Sequence, residues 1–239
     1  ASHDGIGVRP LEGLLSDDET ARLLDAMRAF GGEITFRETH GNRKPYEINI
    51  ALFDALSGTK DGKKDTHQVA RFIAAHAIML ALEGIPAFYI HSLFATPNDH
   101  NRVEHTGRLR SINRHIWDQQ TLESTIADDN TPSAQIFNAM RHLISVRKKQ
   151  TAFHPNATQF TLHLGTKVFG IWRQSVDRKQ SVFAIHNVTT EAVTISLSDI
   201  NLIEPDRWID LIANAEISDI RGEIVLTPFY SDWISNSVP

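Results

Sequence analysis

Apolar positions follow one rhythm up to about residue 152 and another beyond it. In the first part they recur at helical spacing between Gly and Pro breakers. Leu23, Leu24, Met27 and Phe30 make an apolar stripe. Ser16-Asp17-Asp18-Glu19 opens that helix as a capping box, with acids at the positive end of its dipole, and Gly31-Gly32 ends it. Residues 33–38 alternate and predict a short strand. Residues 39–44 are polar, hold Gly41 and Asn42, and predict a mobile surface loop. Residues 46–56 are apolar, with strand and helix both left open. Asp65 caps a second helix with Val69, Phe72, Ile73, Ala77 and Leu80 on one stripe; Glu83-Gly84 ends it and Pro86 blocks its continuation. Residues 87–94 are a mostly apolar run between breakers and read as a buried parallel strand. Helix, tight loop and buried strand in that order form a piece of a β/α repeat. Residues 95–105 are polar and predict the loop after that strand. Thr131-Pro132 starts a further helix, which buries Ile136, Phe137, Met140, Leu143 and Ile144 and ends in Arg147-Lys148-Lys149.

After His154-Pro155-Asn156 the period falls to two. Phe160, Leu162 and Leu164 alternate, and runs at 168–172, 182–185, 193–197 and 224–226 follow between polar turns. This predicts an antiparallel β domain. Trp172, Trp208 and Trp233 read as core or interdomain packing rather than sugar-stacking platforms, because no polar groups cluster with them.

Composition narrows the classes. At 41% hydrophobic and 22% charged, 239 residues suffice for one or two globular domains. The net charge of −5 is interleaved, so no basic face points to nucleic acid. No apolar run reaches membrane-spanning length. With no cysteine, disulfides, thiolate metal sites and a Cys nucleophile are excluded, and a cytoplasmic location is the expectation.

The chemistry concentrates at the start, in Ser2-His3-Asp4-Gly5-Ile6-Gly7-Val8-Arg9-Pro10. The run reads as a strand end leading into a tight loop, with glycines where the backbone needs positive φ or close approach. In α/β enzymes such ends carry chemistry. The plainer alternative is that Asp4 caps a turn and His3 packs. A Ser-His-Asp triad is dismissed, since triad members come from distant parts of a chain. Arg102, Arg108, Arg110 and Arg114 cluster among His100, His105 and His115. Without further information this is a solvated, salt-bridged loop. The histidines lack a carboxylate at ligand spacing, and His67 and His76, nine apart, do not share a helical face, so no metal site is predicted.

Four ordered stretches carry a resemblance. Ser2-His3-Asp4-Gly5-Ile6-Gly7 resembles the fourth conserved region of the α-amylase superfamily, glycoside hydrolase family 13, and within it the sucrose phosphorylase branch. Pro45-Tyr46-Glu47-Ile48-Asn49 resembles that branch's Tyr-Gln-Ile-Asn loop. Gly84-Ile85-Pro86-Ala87-Phe88-Tyr89 resembles the entry to the last barrel strand. Gly107-Arg108-Leu109-Arg110-Ser111-Ile112-Asn113-Arg114-His115 resembles its Gly-Arg-x-Ile-Asn-Arg-His signature, with extra residues before the Ile. The matches cover roughly the first half of the chain. Gly7-Val8-Arg9-Pro10 and the Glu47 loop look most like the branch's glucosylglycerate-specific members.

The resemblance implies a fold class of α/β plus all-β: the C-terminal part of a (β/α)8 TIM barrel over residues 1–152, then a small antiparallel β domain over 153–239. A complete barrel needs about 250 residues, so no closed barrel is expected. Parallel strands near Val8 and over 87–94 would leave an open apolar edge, covered by the missing N-terminal half of the barrel or by another chain, as in a homodimer. The implied activity is retaining transfer of glucose from an α-glucoside to inorganic phosphate, without metal or organic cofactor. The nucleophile and acid/base of that chemistry come from strands these residues do not include, so the residues alone are expected to be inactive. Asp4 carries over as the third acid, a transition-state stabiliser. His3 and Arg110 would hold the same glucose. Tyr46 and Glu47, with Arg43 and Lys44 just before, match the acceptor loop; Glu47 would oppose a second anion or accept from an acceptor hydroxyl. The basic pair argues for an anionic acceptor. The rivals are a hydrolase of the same fold and a non-catalytic sugar-binding or structural piece.

Overall fold

The computed structural model describes residues 2–39, 41–200, 202 and 207–236. Two compact units emerge, one of Ala1–Val69 with Phe88–Phe137, the other of Ala70–Ala87 with Asn138–Pro239.

The first unit begins with β1 (Ile6–Gly7), then α1 (Asp17–Ala29), β2 (Glu33–Thr39), β3 (Asn42–Asn49) and α2 (Leu52–Ala55). The Ser16 capping box forms as expected: the Ser16 hydroxyl accepts from the Glu19 amide, and the Glu19 carboxylate accepts from the Ser16 amide. Asp65 accepts from the His67 amide, and α3 (Gln68–Ala81) follows and runs on into the second unit. α4 (Ile90–Leu93), α5 (His100–Thr106), α6 (Gln119–Ala127) and the start of α7 (Pro132–Arg147) complete the first unit. The core is Val8, Leu24, Met27, Phe30, Ile48 and Ile50, against which Ile6, Leu23 and Ile34 pack.

Four expectations are corrected here. Residues 39–44 are not a mobile loop: β2 and β3 form a hairpin whose register runs from Glu33↔Asn49 to Thr39↔Asn42. The register shifts between Thr35 and Phe36, opposite Pro45, so the residue that cannot donate to a ladder sits at a bulge. The expected parallel strand near Val8 is instead β1, which pairs antiparallel with β3 in the order β1-β3-β2. The expected buried strand over 87–94 does not form. Residues 87–89 carry no regular structure, α4 follows, and Ile85 and Ile90 are 83% and 50% exposed. A β ladder satisfies its amides only through a neighbour, and among the described residues no strand runs beside this segment. The polar stretch after it is not all loop either: Asp99 caps α5 by accepting from the Arg102 amide.

In the second unit, β4 (Thr158–Leu162), β5 (Val168–Gln174), β6 (Ser181–Asn187), β7 (Val193–Ser196), β8 (Trp208–Asp210), β9 (Ala215–Ile217), β10 (Glu223–Leu226) and β11 (Ser231–Ser235) build two antiparallel sheets, in the orders β4-β5-β6-β11-β8-β9 and β10-β7. The alternation beyond residue 157 therefore reads through to structure. Trp208 and Trp233 are buried, and Trp172 stacks on Phe160 and Phe183, so the tryptophans pack. The units do not follow a single cut at 152, because residues 70–87 and 138–152 lie with the sheets. Two arginines show why. Arg147 donates to the Leu80, Gly84 and Phe153 carbonyls. Arg173, 0% exposed, donates to those of Ala81, His154 and Ala157. The last carbonyls of α3 and those of the segments after α3 and α7 thus find cationic donors within the unit.

Candidate functional site

The first unit gathers the sequence-singled residues at one place. β1 ties the start of the chain to β3: Ile6 faces Ile48, Gly7 faces Glu47, and the Val8 amide donates to the Tyr46 carbonyl. Just before β1, the backbone at residues 2–4 is held by the 3-10 turn Leu109–Asn113 and its neighbour. Asn113, 5% exposed, donates from Nδ2 to the Ser2 and Asp4 carbonyls, and Arg114 Nε donates to the His3 carbonyl. The Tyr89 hydroxyl in turn donates to the Asn113 carbonyl.

Arg110 joins the two carboxylates of this region. Its Nη1 lies 2.8 Å from Asp4 Oδ1, and its Nε lies 2.9 Å from Glu47 Oε2. Hydrogen bonding to Glu47, with the charges of Glu47 and Asp4 behind it, holds the Arg110 proton more tightly than usual. Arg114 Nη2 and His3 Nε2 stand 3.4 and 3.6 Å from the same Asp4 Oδ1. Every one of these contacts meets Oδ1; among the described residues no hydrogen bond reaches Oδ2. The Asp4 and Arg110 side chains are 40% and 41% exposed, whereas Glu47 is only 8% exposed behind them. A carboxylate fixed by cations through one oxygen and open at the other is suited to accept hydroxyl hydrogen bonds from a polyol.

Tyr46, Lys44 and Arg43 divide by strand alternation. Tyr46 and Lys44 line a cleft of about 450 Å³ with Arg9, Glu12, Arg37 and Asn42. Arg37 faces Lys44 directly across the hairpin, and its guanidinium lies 5.8 Å from the Tyr46 ring centroid. Arg43 does not share that cleft: its guanidinium sits 4.4 Å above the Phe36 ring. Neighbouring residues on a strand point to opposite faces, so the sequential Arg43-Lys44 pair does not act on one ligand. Two cations directly opposed on a ladder repel, and with Arg9 they make the cleft a cationic one. Glu47, expected among acceptor contacts, is turned inward to Arg110 and to the Gly5 amide, 3.1 Å away.

Sequence reasoning missed Arg37, and it gave no role in this region to Arg9, which stands in the opening stretch, nor to Asn113 and Arg114. The last two lie in a stretch the resemblance had already picked out. Arg37 would have been found by reading residues 33–49 as a hairpin about Gly41, which sets Arg37 opposite Lys44. Among the described residues no three His, Asp or Glu side chains come together as metal ligands, and no helix is long and apolar enough to cross a membrane.

No family model matches the chain. It is 42% identical to a glucosylglycerate phosphorylase of Allomeiothermus silvanus over 98% of its own length and 39% of the relative's. It is 33% identical to the glucosylglycerate phosphorylase of Escherichia coli over 98% of its length and 40% of that protein's. The chain thus spans about two fifths of the curated relatives it matches. Among solved structures, sucrose 6F-phosphate phosphorylase from Thermoanaerobacter thermosaccharolyticum shares the fold at a TM-score of 0.63 and 24% identity, over 79% of this chain and 37% of that one. These likenesses span the four motif stretches and the sheet unit alike, and the chain belongs to the sucrose phosphorylase branch of glycoside hydrolase family 13.

Proposed function

We propose that this chain is part of a retaining α-glucosyl phosphorylase that moves glucose from an α-glucoside with an anionic aglycone, of the glucosylglycerate kind, to inorganic phosphate. The observation that carries the reading is the convergence of Arg110, Arg114 and His3 on one oxygen of Asp4, in a chain 42% identical to a glucosylglycerate phosphorylase. Asp4 accepts from glucosyl hydroxyls and grips them harder as the ring flattens towards the oxocarbenium-like transition state. Arg110 and His3 donate to the same sugar. Lys44, Arg37 and Arg9 offer the carboxylate of the aglycone, and phosphate in its turn, a cationic cleft beside Tyr46. Arg pairs such groups through two parallel hydrogen bonds. The nucleophile and acid/base come from outside these residues. Glu47, the carboxylate nearest Asp4 through Arg110, is buried and doubly bonded, so it does not serve as either. The first unit then contributes to a (β/α)8 barrel whose remaining strands are supplied from elsewhere, and these 239 residues alone turn over no α-glucoside.

The test is phosphate-dependent release of glucose 1-phosphate from glucosylglycerate and from sucrose by the enzyme that carries this sequence. Glucosylglycerate is expected to be the better substrate. The Arg37→Ala, Lys44→Ala double variant is expected to lose tenfold or more in kcat/KM for it and little for sucrose. Sucrose as the better substrate, or a double variant indistinguishable from wild type on both, refutes the proposal.

A further inference from the structure

The Glu47 carboxylate is spent on the protein itself. Oε1 accepts from the Gly5 amide at 3.1 Å, and Oε2 accepts from Arg110 Nε at 2.9 Å. Both partners flank Asp4: Gly5 follows it in the chain, and Arg110 holds its Oδ1. The residue is 6% exposed, so a ligand at the open side of Asp4 meets Arg110 and Asp4 before it meets Glu47. Gly5 makes the approach feasible. A Cβ there would stand 2.6 Å from Glu47 Cγ and 2.5 Å from the Ile48 carbonyl oxygen. The glycine is required by this close approach rather than by positive φ, and any side chain at position 5 would push the Glu47 side chain off the loop. Glutamate has two acceptor oxygens and here satisfies two donors of different kinds, a neutral amide and a cation. Glutamine at this position would keep one acceptor oxygen, so it could accept from the Gly5 amide or from Arg110 Nε but not from both.

We infer that Glu47 is a positioning residue that fixes Asp4 and Arg110 together through its two carboxylate oxygens and makes no contact with either substrate. The inference rests on the reading of Asp4 and Arg110 as the glucose-binding pair, and it deepens that reading: the charge at position 47 sets the geometry of the donor sugar rather than the choice of acceptor. Arg110 held at both ends cannot swing away when the site is empty, so less order has to be imposed when the sugar binds.

Two measurements separate this inference from the proposed function. The first uses the chain described here, ¹⁵N-labelled, and reads the Arg110 Nε–H resonance. In Glu47→Ala, which removes both acceptor oxygens, its exchange with water is expected to rise tenfold or more, with the hairpin amides unchanged. Unchanged exchange in a folded variant overturns the inference whatever the enzyme acts on. The second uses the enzyme that carries this sequence. Glu47→Gln is expected to lower kcat/KM for glucosylglycerate and for sucrose by the same factor, at least tenfold, leaving their ratio at the wild-type value. In the Arg110→Ala background the same substitution is expected to cost less than threefold. A ratio shifted by more than threefold shows Glu47 contacting the acceptor and overturns the inference. A full additive loss in the Arg110→Ala background overturns it too, since Glu47 would then act independently of Arg110. If the wild-type enzyme phosphorolyses neither substrate while the exchange result holds, the proposed function has failed and the positioning role of Glu47 stands.

Discussion

Replacing Asp232 by Asn should remove a loss of stability that the sheet unit suffers above neutrality. Asp232 lies on β11 beside Asp210 of β8, 7% exposed, with the Tyr230 hydroxyl also approaching Asp210. Burial, and then the charge of Asp210 and a hydrogen bond to it, push the Asp232 carboxyl up to about 8 from 3.8. The folded state therefore keeps a proton that the unfolded chain has already released at any pH between these values. Stability from this group is full below 3.8 and falls by about 1.4 kcal/mol per pH unit as pH rises towards 8. His186 works in the other direction. It is wholly buried on β6, which lowers it to about 3 from 6.5, so the unfolded chain binds the extra proton and stability falls as pH drops below 6.5. The two slopes cancel between 3.8 and 6.5, and Asp232 acts alone above 6.5. From pH 6.5 to 8 the wild type should lose about 2 kcal/mol, whereas Asp232→Asn, neutral throughout and still able to donate to Asp210, should stay flat. Urea unfolding followed by tryptophan fluorescence reads the difference, with Trp117 of the other unit replaced by Phe so that the signal comes from Trp172, Trp208 and Trp233. Parallel pH profiles for wild type and variant across that window would refute the reasoning.

Two further expectations follow from single side chains. Arg173→Met removes the donors to three carbonyls from a site of 0% exposure; a stability loss of about 3 kcal/mol or more is expected by urea denaturation, and a loss below about 1 kcal/mol would mean that those carbonyls find other donors. Ser16→Ala removes the hydroxyl half of the α1 capping box, the bond from the Glu19 amide, and should cost about 1 kcal/mol, read as a lower thermal midpoint.

The sequence by itself determined whatever is set within a few residues. The Ser16 box, the stop at Gly84 and Pro86, the Thr131 cap that accepts from the Ala134 amide, and the switch to alternation near residue 158 all appear where the pattern put them. These signals are local because a cap or a breaker acts on backbone groups one turn away, and an apolar period reports which side of an element is buried. It does not report what lies opposite. Tertiary structure decided that residues 87–94 go without a strand partner, that β1 runs antiparallel to β3, and that Arg37 rather than Arg43 stands beside Lys44. It also decided the use of Glu47. The motif stretches named Asp4, Glu47 and Arg110, but these meet across 42, 63 and 106 residues of chain, counted from Gly5 to Glu47, Glu47 to Arg110 and Asp4 to Arg110. Whether a carboxylate faces a ligand or its own scaffold depends on which donors the fold brings to its two oxygens, and only the folded chain brings Gly5 and Arg110 to Glu47.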